Sequence, residues 1–348
     1  MTPKTLLLFA MLLGWSASAW AQTQLDVEKA ANPLLAQSPV QWLTLADALA
    51  QTEERAKPFF IFMYRPGCAE CDEMLRTTLA NEGIASYISR NFYPVLFNRK
   101  VEGEVPFSKQ LILANQLNQL EQASPLIAFI DRDGAGEPTQ GFKTLKQLEP
   151  YLVYYAEEVN KTLAFDKYLE YYHKVYPPDD TTGVTMVRSV VRWMDLDEAF
   201  ELQATDPNPK KIFIDLYADW RTTSTIMFMS TYNNPIVGAY LNEHFYPVRI
   251  DATTHDTIVV KGVTYTNNSE GQGHPFHDLA IAMLEGRMFL PANLFLNEQG
   301  NVIQKVQIYQ TPETFEPLVK FFGSDAYLGT QYEDYLESFQ SALPPKTP

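Results

Sequence analysis

Cys68 and Cys71 are the only two cysteines of the chain, and they stand three residues apart in the run Pro66-Gly67-Cys68-Ala69-Glu70-Cys71. One turn of helix puts such a pair on one face. At a helix N-terminus, free backbone N–H groups and the helix dipole favour a thiolate over a thiol. A Cys68 thiolate can attack a disulfide, and Cys71, one turn further in, can then attack the Cys68 sulfur and release the product. The spacing reads as a redox pair. Zinc is a weaker reading, because a structural site takes about four ligands and one cysteine pair supplies half of them.

That chemistry needs a strand and a helix to hold the pair. Residues 59–64, FFIFMY, form a continuous apolar run, the pattern of a strand buried on both faces. A helix is expected from the cysteines to about Ala80, then a helix over 82–90, a strand over 92–97, a helix over 106–122 and a strand over 126–130. Residues 39–42 read as a short strand, 43–57 as an amphipathic helix and 144–155 as a closing helix. Residues 22–37 are polar and small and read as a loose N-terminal extension.

The chain opens on Lys4, an apolar core over 6–13 and Ala19-Trp20-Ala21, the pattern of a secretory signal over residues 1–21 cleaved after Ala21. The core is too short to span a bilayer, so no membrane insertion is expected after cleavage and the protein is expected to be exported, periplasmic or secreted. In an oxidising compartment a lone cysteine pair closes unless electrons are supplied. The formal charge of −15, without a basic run, argues against nucleic acid and anionic membrane as partners.

An internal repeat reorganises this reading. A shift of 153 places residues 56–98 on 209–251 without a gap: Lys57, Phe60, Ile61, Tyr64, Met74, Thr78, Asn81 and Tyr87 recur as Lys210, Phe213, Ile214, Tyr217, Met227, Thr231, Asn234 and Tyr240. Phe92-Tyr93-Pro94-Val95 recurs as Phe245-Tyr246-Pro247-Val248, Trp42 as Trp193, Pro125 as Pro291 and Gly134 as Gly300. Tyr168-Leu169-Glu170 recurs as Tyr335-Leu336-Glu337, and each of these tail helices is expected to pack on its own domain. The expected division is an extension over 22–37, a domain over 38–176, a linker over 177–188 and a second domain over 189–348. Most of the second copy's extra length lies between Ala252 and Phe289, a Gly- and Asn-rich excursion ending in a helix over 276–284.

The order strand, CxxC, helix, helix, strand, then a proline ahead of a further strand and a closing helix resembles the thioredoxin fold. The first copy is similar to the secreted thioredoxin-like domains of thiol–disulfide oxidoreductases, among them the electron-donating C-terminal domain of DsbD-type proteins. The second resembles the same family through residues 213–220, FIDLYADW. The resemblance implies an α/β architecture of two tandem thioredoxin-like domains, each a central mixed sheet flanked by helices with a C-terminal tail helix. It implies Cys68 as nucleophile and Cys71 as resolving cysteine, with Pro125 after a cis bond beside Cys68. Ser124, Pro125 and Gly67 would then contact substrate. The expected partners are exported proteins with disulfides or an upstream electron donor. No cofactor beyond the Cys68–Cys71 disulfide and no metal is expected.

The pattern departs from the family at named positions. Gly67 replaces the usual Trp, and Phe62 replaces the buried acid that handles the second cysteine's proton in many relatives, leaving water or Glu70 for that task at Cys71. The second copy keeps the acid, Asp215, and Trp220, but has Arg221 and Ser224 where the cysteines belong. Without thiols it cannot exchange disulfides. It retains a peptide-facing surface at Trp220, Leu290 and Pro291, which serves either binding or the orientation of the first domain. His274, His277 and Asp278 could suggest a metal but read better as a loop and a helix start. The functional expectation is an exported thiol–disulfide oxidoreductase that reduces protein disulfides; the alternative is a non-enzymatic partner-binding protein built on two such modules.

Overall fold

Among the described residues, two four-stranded mixed sheets with matching strand order carry the fold. The computed structural model describes residues 25–52, 57–98, 125–131, 133, 136, 138–178, 189–267 and 276–345. These fall in two compact units, Met1–Glu158 and Val159–Pro348.

In the first unit the chain is helical over 25–31 and again at α1 (Pro33–Ala36), followed by α2 (Leu45–Gln51). The apolar run becomes β1 (Phe59–Met63), which leads into α3 (Ala69–Arg76), α4 (Glu82–Asn91) and β2 (Tyr93–Phe97). Then come β3 (Leu126–Ile130), β4 (Pro138–Gln140) and α5 (Leu145–Ala156). The sheet order is β2-β1-β3-β4, with β1 parallel to β2 and antiparallel to β3. Both central strands are apolar because both faces are covered. Phe60, Phe62 and Phe129 are fully buried, and Phe60 and Phe62 pack against Trp42.

The second unit opens on α6 (Phe165–Val175) and α7 (Leu196–Thr205), then β5 (Lys211–Tyr217) and α8 (Thr222–Ile226), which runs on as a π-helical turn, Met227–Tyr232. There follow α9 (Pro235–His244), β6 (Phe245–Asp251) and a hairpin of β7 (Ile258–Val260) and β8 (Val263–Tyr265). The unit closes with α10 (Asp278–Met283), β9 (Ala292–Leu296), β10 (Val302–Val306), α11 (Pro312–Gly323) and α12 (Tyr332–Ser338). Its sheet order is β10-β9-β5-β6, with β5 parallel to β6 and antiparallel to β9.

The two units agree at the level of single hydrogen bonds. Phe59 pairs with Tyr93, and Ile212 with Tyr246, so the parallel registers coincide at the 153-residue shift. Leu43 bridges Val95 as Met194 bridges Val248. The Trp42 indole donates to Ser38 Oγ at 3.0 Å, and the Trp193 indole to Ser189 Oγ at 3.0 Å. Thr78 Oγ1 donates to the Lys143 carbonyl at 2.6 Å, and Thr231 Oγ1 to that of Gln310 at 2.7 Å. Asn81 and Asn234 cap α4 and α9, while Thr144 and Thr311 close capping boxes on α5 and α11.

Several local expectations are corrected. The stretch 39–42 forms no strand; only Leu43 makes a β-bridge, to Val95. Residues 25–37 are not loose: Leu25 and Leu35 are buried, and Asn32 Oδ1 accepts the Leu34 amide with Pro33 at the first helical position. The helix at 165–175 lies in the second unit, because its aromatic face packs on α8 and the π-helical turn and Tyr171 Oη donates to Glu313 Oε2 at 2.5 Å. The excursion after Ala252 contains the β7–β8 hairpin, with positive φ at Lys261 and Gly262 suited to a tight turn. The signal over 1–21, the helix expected over 106–122, Ser124, His274, Gly134 and residues 179–188 of the linker lie outside the described residues.

Candidate functional site

The first unit brings Gly67, Cys68 and Cys71 together at the joint between β1 and α3. The turn after Tyr64 closes when the Cys68 amide donates to the Arg65 carbonyl at 3.2 Å. Gly67 enters it with φ +75, a left-handed backbone that glycine adopts without steric cost. Cys68 is the N-cap of α3, with φ −87 and ψ 104, and its Sγ accepts the Cys71 amide at 3.1 Å. The two cysteines are joined as a disulfide, with Cα atoms 5.2 Å apart. Cys71 is fully buried, and Cys68, one turn earlier, is 5% exposed.

Pro125 stands at the same end of the sheet. Met63 pairs with Leu126, which sets the preceding Pro125 beside the stretch that leaves β1 for the cysteines. The Pro125 carbonyl accepts the Gly141 amide at 2.9 Å. From there Lys143 follows at the start of α5, its ammonium pKa lowered by burial against the opposing pull of Glu70.

The N-terminal segment also reaches the site. Asn32 Nδ2 donates to Tyr64 Oη at 2.8 Å and to Asp72 Oδ1 at 3.0 Å, tying the end of β1 to the first turn of α3. Burial pushes the Tyr64 hydroxyl above its ordinary pKa, opposed by the Asn32 bond and helped by Asp72 and Glu28. Glu28 Oε1 accepts from Asn98 Nδ2 at 2.5 Å. Sequence reasoning missed Asn32, although Asn-Pro before an apolar pair is a helix-start signal.

The second unit repeats the scaffold and changes the chemistry. Arg221 is the N-cap of α8 with φ −93 and ψ 109, close to the backbone of Cys68. Ser224 is 2% exposed where Cys71 is buried. Leu290–Pro291 is cis, and Leu216 pairs with Ala292, so Pro291 stands at the sheet end from which the chain runs to Trp220. Trp220 is 48% exposed, whereas Leu290 is buried.

Beneath that surface lies a buried polar network. Arg249 Nε donates to Asp215 Oδ2 at 3.0 Å, Tyr232 Oη donates to Asp215 Oδ1 at 3.0 Å, and Asn293 Nδ2 donates to Tyr232 Oη at 2.7 Å. The Arg249 guanidinium lies 3.7 Å from the Tyr217 ring centroid and 4.2 Å from that of Phe228. Burial raises the Asp215 pKa, opposed by the charge and hydrogen bond of Arg249 and by Tyr232. Burial and the adjacent Asp215 hold the Tyr232 phenol well above its ordinary value. Sequence reasoning found Asp215 but not Arg249, which the 153-residue shift puts in place of the apolar Leu96.

His277 is occupied by its helix: Nδ1 accepts the Leu279 amide at 3.2 Å, and Nε2 lies 3.0 Å from the Asp256 carbonyl. Asp278 stands in the first turn of α10. Among the described residues no helix is long and apolar enough to cross a membrane.

Residues 45–156 match the family model described as a thioredoxin-like domain. No curated protein matches. A thioredoxin-fold protein from Helicobacter pylori is 14% identical, with a TM-score of 0.30, covering 38% of this chain and 84% of its own. A thioredoxin from Thermus thermophilus is 15% identical, with a TM-score of 0.25, covering 33% of this chain and 85% of its own. The oxidised C-terminal domain of Neisseria meningitidis DsbD is 15% identical, with a TM-score of 0.25, covering 38% of this chain and 97% of its own. Residues 45–156 of the first unit thus form a thioredoxin-like domain on a mixed sheet, with the Cys68–Cys71 disulfide at the start of α3.

Proposed function

We propose that the protein is an exported thiol–disulfide oxidoreductase that reduces disulfides of other exported proteins through Cys68 and Cys71. The observation that carries this reading is the pair itself: one sulfur at a helix N-cap, receiving the Cys71 amide, and the other buried one turn inside. In the reduced pair the Cys68 thiolate attacks a partner disulfide. A Cys68–partner bond forms, and one partner sulfur leaves as a thiolate that takes up a proton. Cys71, once deprotonated, attacks Cys68 Sγ; the Cys68–Cys71 disulfide closes and the second partner sulfur leaves. Two electrons have passed to the partner, and an upstream dithiol must return them.

The direction follows the resemblance to electron-donating domains. Export rests on the signal-like residues 1–21, with cleavage after Ala21. The second unit is read as a duplicated copy of the first that has lost its sulfurs and serves as a binding domain. The coincident registers, caps and indole bonds support that origin. Its exposed Trp220 supports a surface for a partner.

Reduction of insulin by the dithiol-charged protein tests the activity, with the Cys68–Cys71 couple poised against glutathione to test direction. Turbid insulin and a couple more reducing than glutathione are expected. An inert purified protein would overturn the enzyme reading and leave the partner-binding alternative.

A further inference from the structure

We propose that the second unit binds a peptide through a carboxylate, with Arg221 as the recognising group and Trp220 as the apolar platform beside it. This rests on the reading of that unit as a non-catalytic binding domain and names what it binds. Arg221 leaves the backbone where Cys68 does in the first unit, as the N-cap of the equivalent helix with φ and ψ close to those of Cys68. The position that presents a nucleophile to a partner in one unit thus presents a guanidinium in the other.

The guanidinium lies over the Trp220 ring, 4.9 Å from its centroid, and the Trp220 ring meets Phe276 in a tilted contact at 6.1 Å. Among the described residues no ion pair engages Arg221, and its Nε is enclosed without an acceptor. Ser224 Oγ, one helical turn on, is likewise enclosed and unpaired, on a residue 2% exposed. Buried donors without partners are destabilising and uncommon in native proteins.

A carboxylate fits this arrangement. A guanidinium offers its donors as a planar fork that matches two carboxylate oxygens. Asp219, the nearest carboxylate in sequence, makes no ion pair with Arg221 among the described residues. Trp220, 48% exposed, and Phe289, 42% exposed near Pro291, supply apolar surface for a neighbouring side chain. The expected ligand is therefore an extended segment with a Glu or Asp next to an aromatic or aliphatic residue.

The test uses the full exported chain and a fluorescein-labelled, end-capped peptide Gly-Glu-Phe-Glu-Ser-Gly, read by anisotropy against twins carrying Gln for Glu and phosphoserine for Ser. The Glu peptide is expected to bind about tenfold tighter than the Gln twin, and more weakly as salt rises. Arg221→Gln should erase the difference between the twins, while Arg221→Lys keeps part of it. Circular dichroism of each variant identifies any unfolded one, in which case the salt series and the twins on the unaltered protein decide. Equal binding of the Glu and Gln peptides, or a preference for Glu that survives in folded Arg221→Gln, overturns the proposal. Marked preference for the phosphoserine twin overturns the carboxylate assignment. Insulin reduction is measured on the same preparation. Exchange without peptide binding removes this proposal alone; Glu-selective binding without exchange removes the redox reading and leaves this one standing.

Discussion

Arg249 donates to Asp215 across 3.0 Å at the sheet position where the first unit pairs Leu96 with Phe62. The antiparallel neighbours differ in the same sense, Asn293 opposite Asp215 and Ile127 opposite Phe62. One scaffold thus carries an apolar centre behind the cysteines and a hydrogen-bonded one behind Arg221 and Ser224. Breaking a buried pair from one side leaves a charge without its partner. Asp215→Leu is expected to cost about 3–5 kcal/mol in urea unfolding of the second unit, followed by tryptophan fluorescence. Adding Arg249→Leu should return more than about 1 kcal/mol of that loss, as coupled neighbours do. Strict additivity of the two changes would show that the pair is not coupled.

The N-terminal segment is expected to support the redox helix. Leu35 is 1% exposed, so Leu35→Ala should cost about 2–4 kcal/mol by opening a cavity under α1. Asn32→Ala removes both the cap of α1 and the bridge between Tyr64 and Asp72, at a cost of about 1 kcal/mol. Hydrogen exchange should show faster exchange of the α3 amides in Asn32→Ala. Unchanged protection across α3 would mean that the segment merely rests there.

Much of the scaffold was legible because its cause is local. The runs at 59–63 and 126–130 are apolar throughout, and both became central strands. Thr144 before an apolar-periodic stretch marked the start of α5. The cysteine pair was legible for the same reason, since three residues of spacing fix its geometry. What was missed depends on distant partners. Asn32 gained its role only when Tyr64 and Asp72 came within reach, and residues 25–37 looked polar because just Leu25 and Leu35 needed burial. Arg249 reads as a surface cation until the register with Asp215 is known. The aromatic face of α6 announced a contact but not which helices it would meet.

Gly67 gives a backbone test. Its φ of +75 is left-handed, and an added Cβ would meet nothing within 4 Å, so the cost of Gly67→Ala is conformational. About 1 kcal/mol is expected in thermal unfolding, with Gly67→Asn costing less. Equal losses for the two variants would mean that contact, and not dihedral strain, sets the cost.

The C-terminal segment contributes an acid-sensitive latch. Burial raises the Glu316 pKa, but hydrogen bonds from Lys320, Ser341 and the Ala342 amide outweigh it, leaving the carboxyl below its ordinary value. A depressed carboxyl contributes stability that is full above the ordinary carboxylate range and is lost as pH falls through its folded-state value. Urea unfolding of Glu316→Gln should be less stable than the unaltered protein at neutral pH, and the gap should narrow on acidification below the carboxylate range. A constant gap across that range would remove Glu316 from the acid response.

Trapping with Cys71→Ser tests the redox assignment of the first unit most directly. With the resolving sulfur gone, the Cys68 thiolate should hold exported partners as mixed disulfides, seen as dithiothreitol-sensitive adducts on non-reducing gels and absent from Cys68→Ser. Adducts missing from Cys71→Ser, or equally abundant in both variants, would contradict Cys68 as the nucleophile.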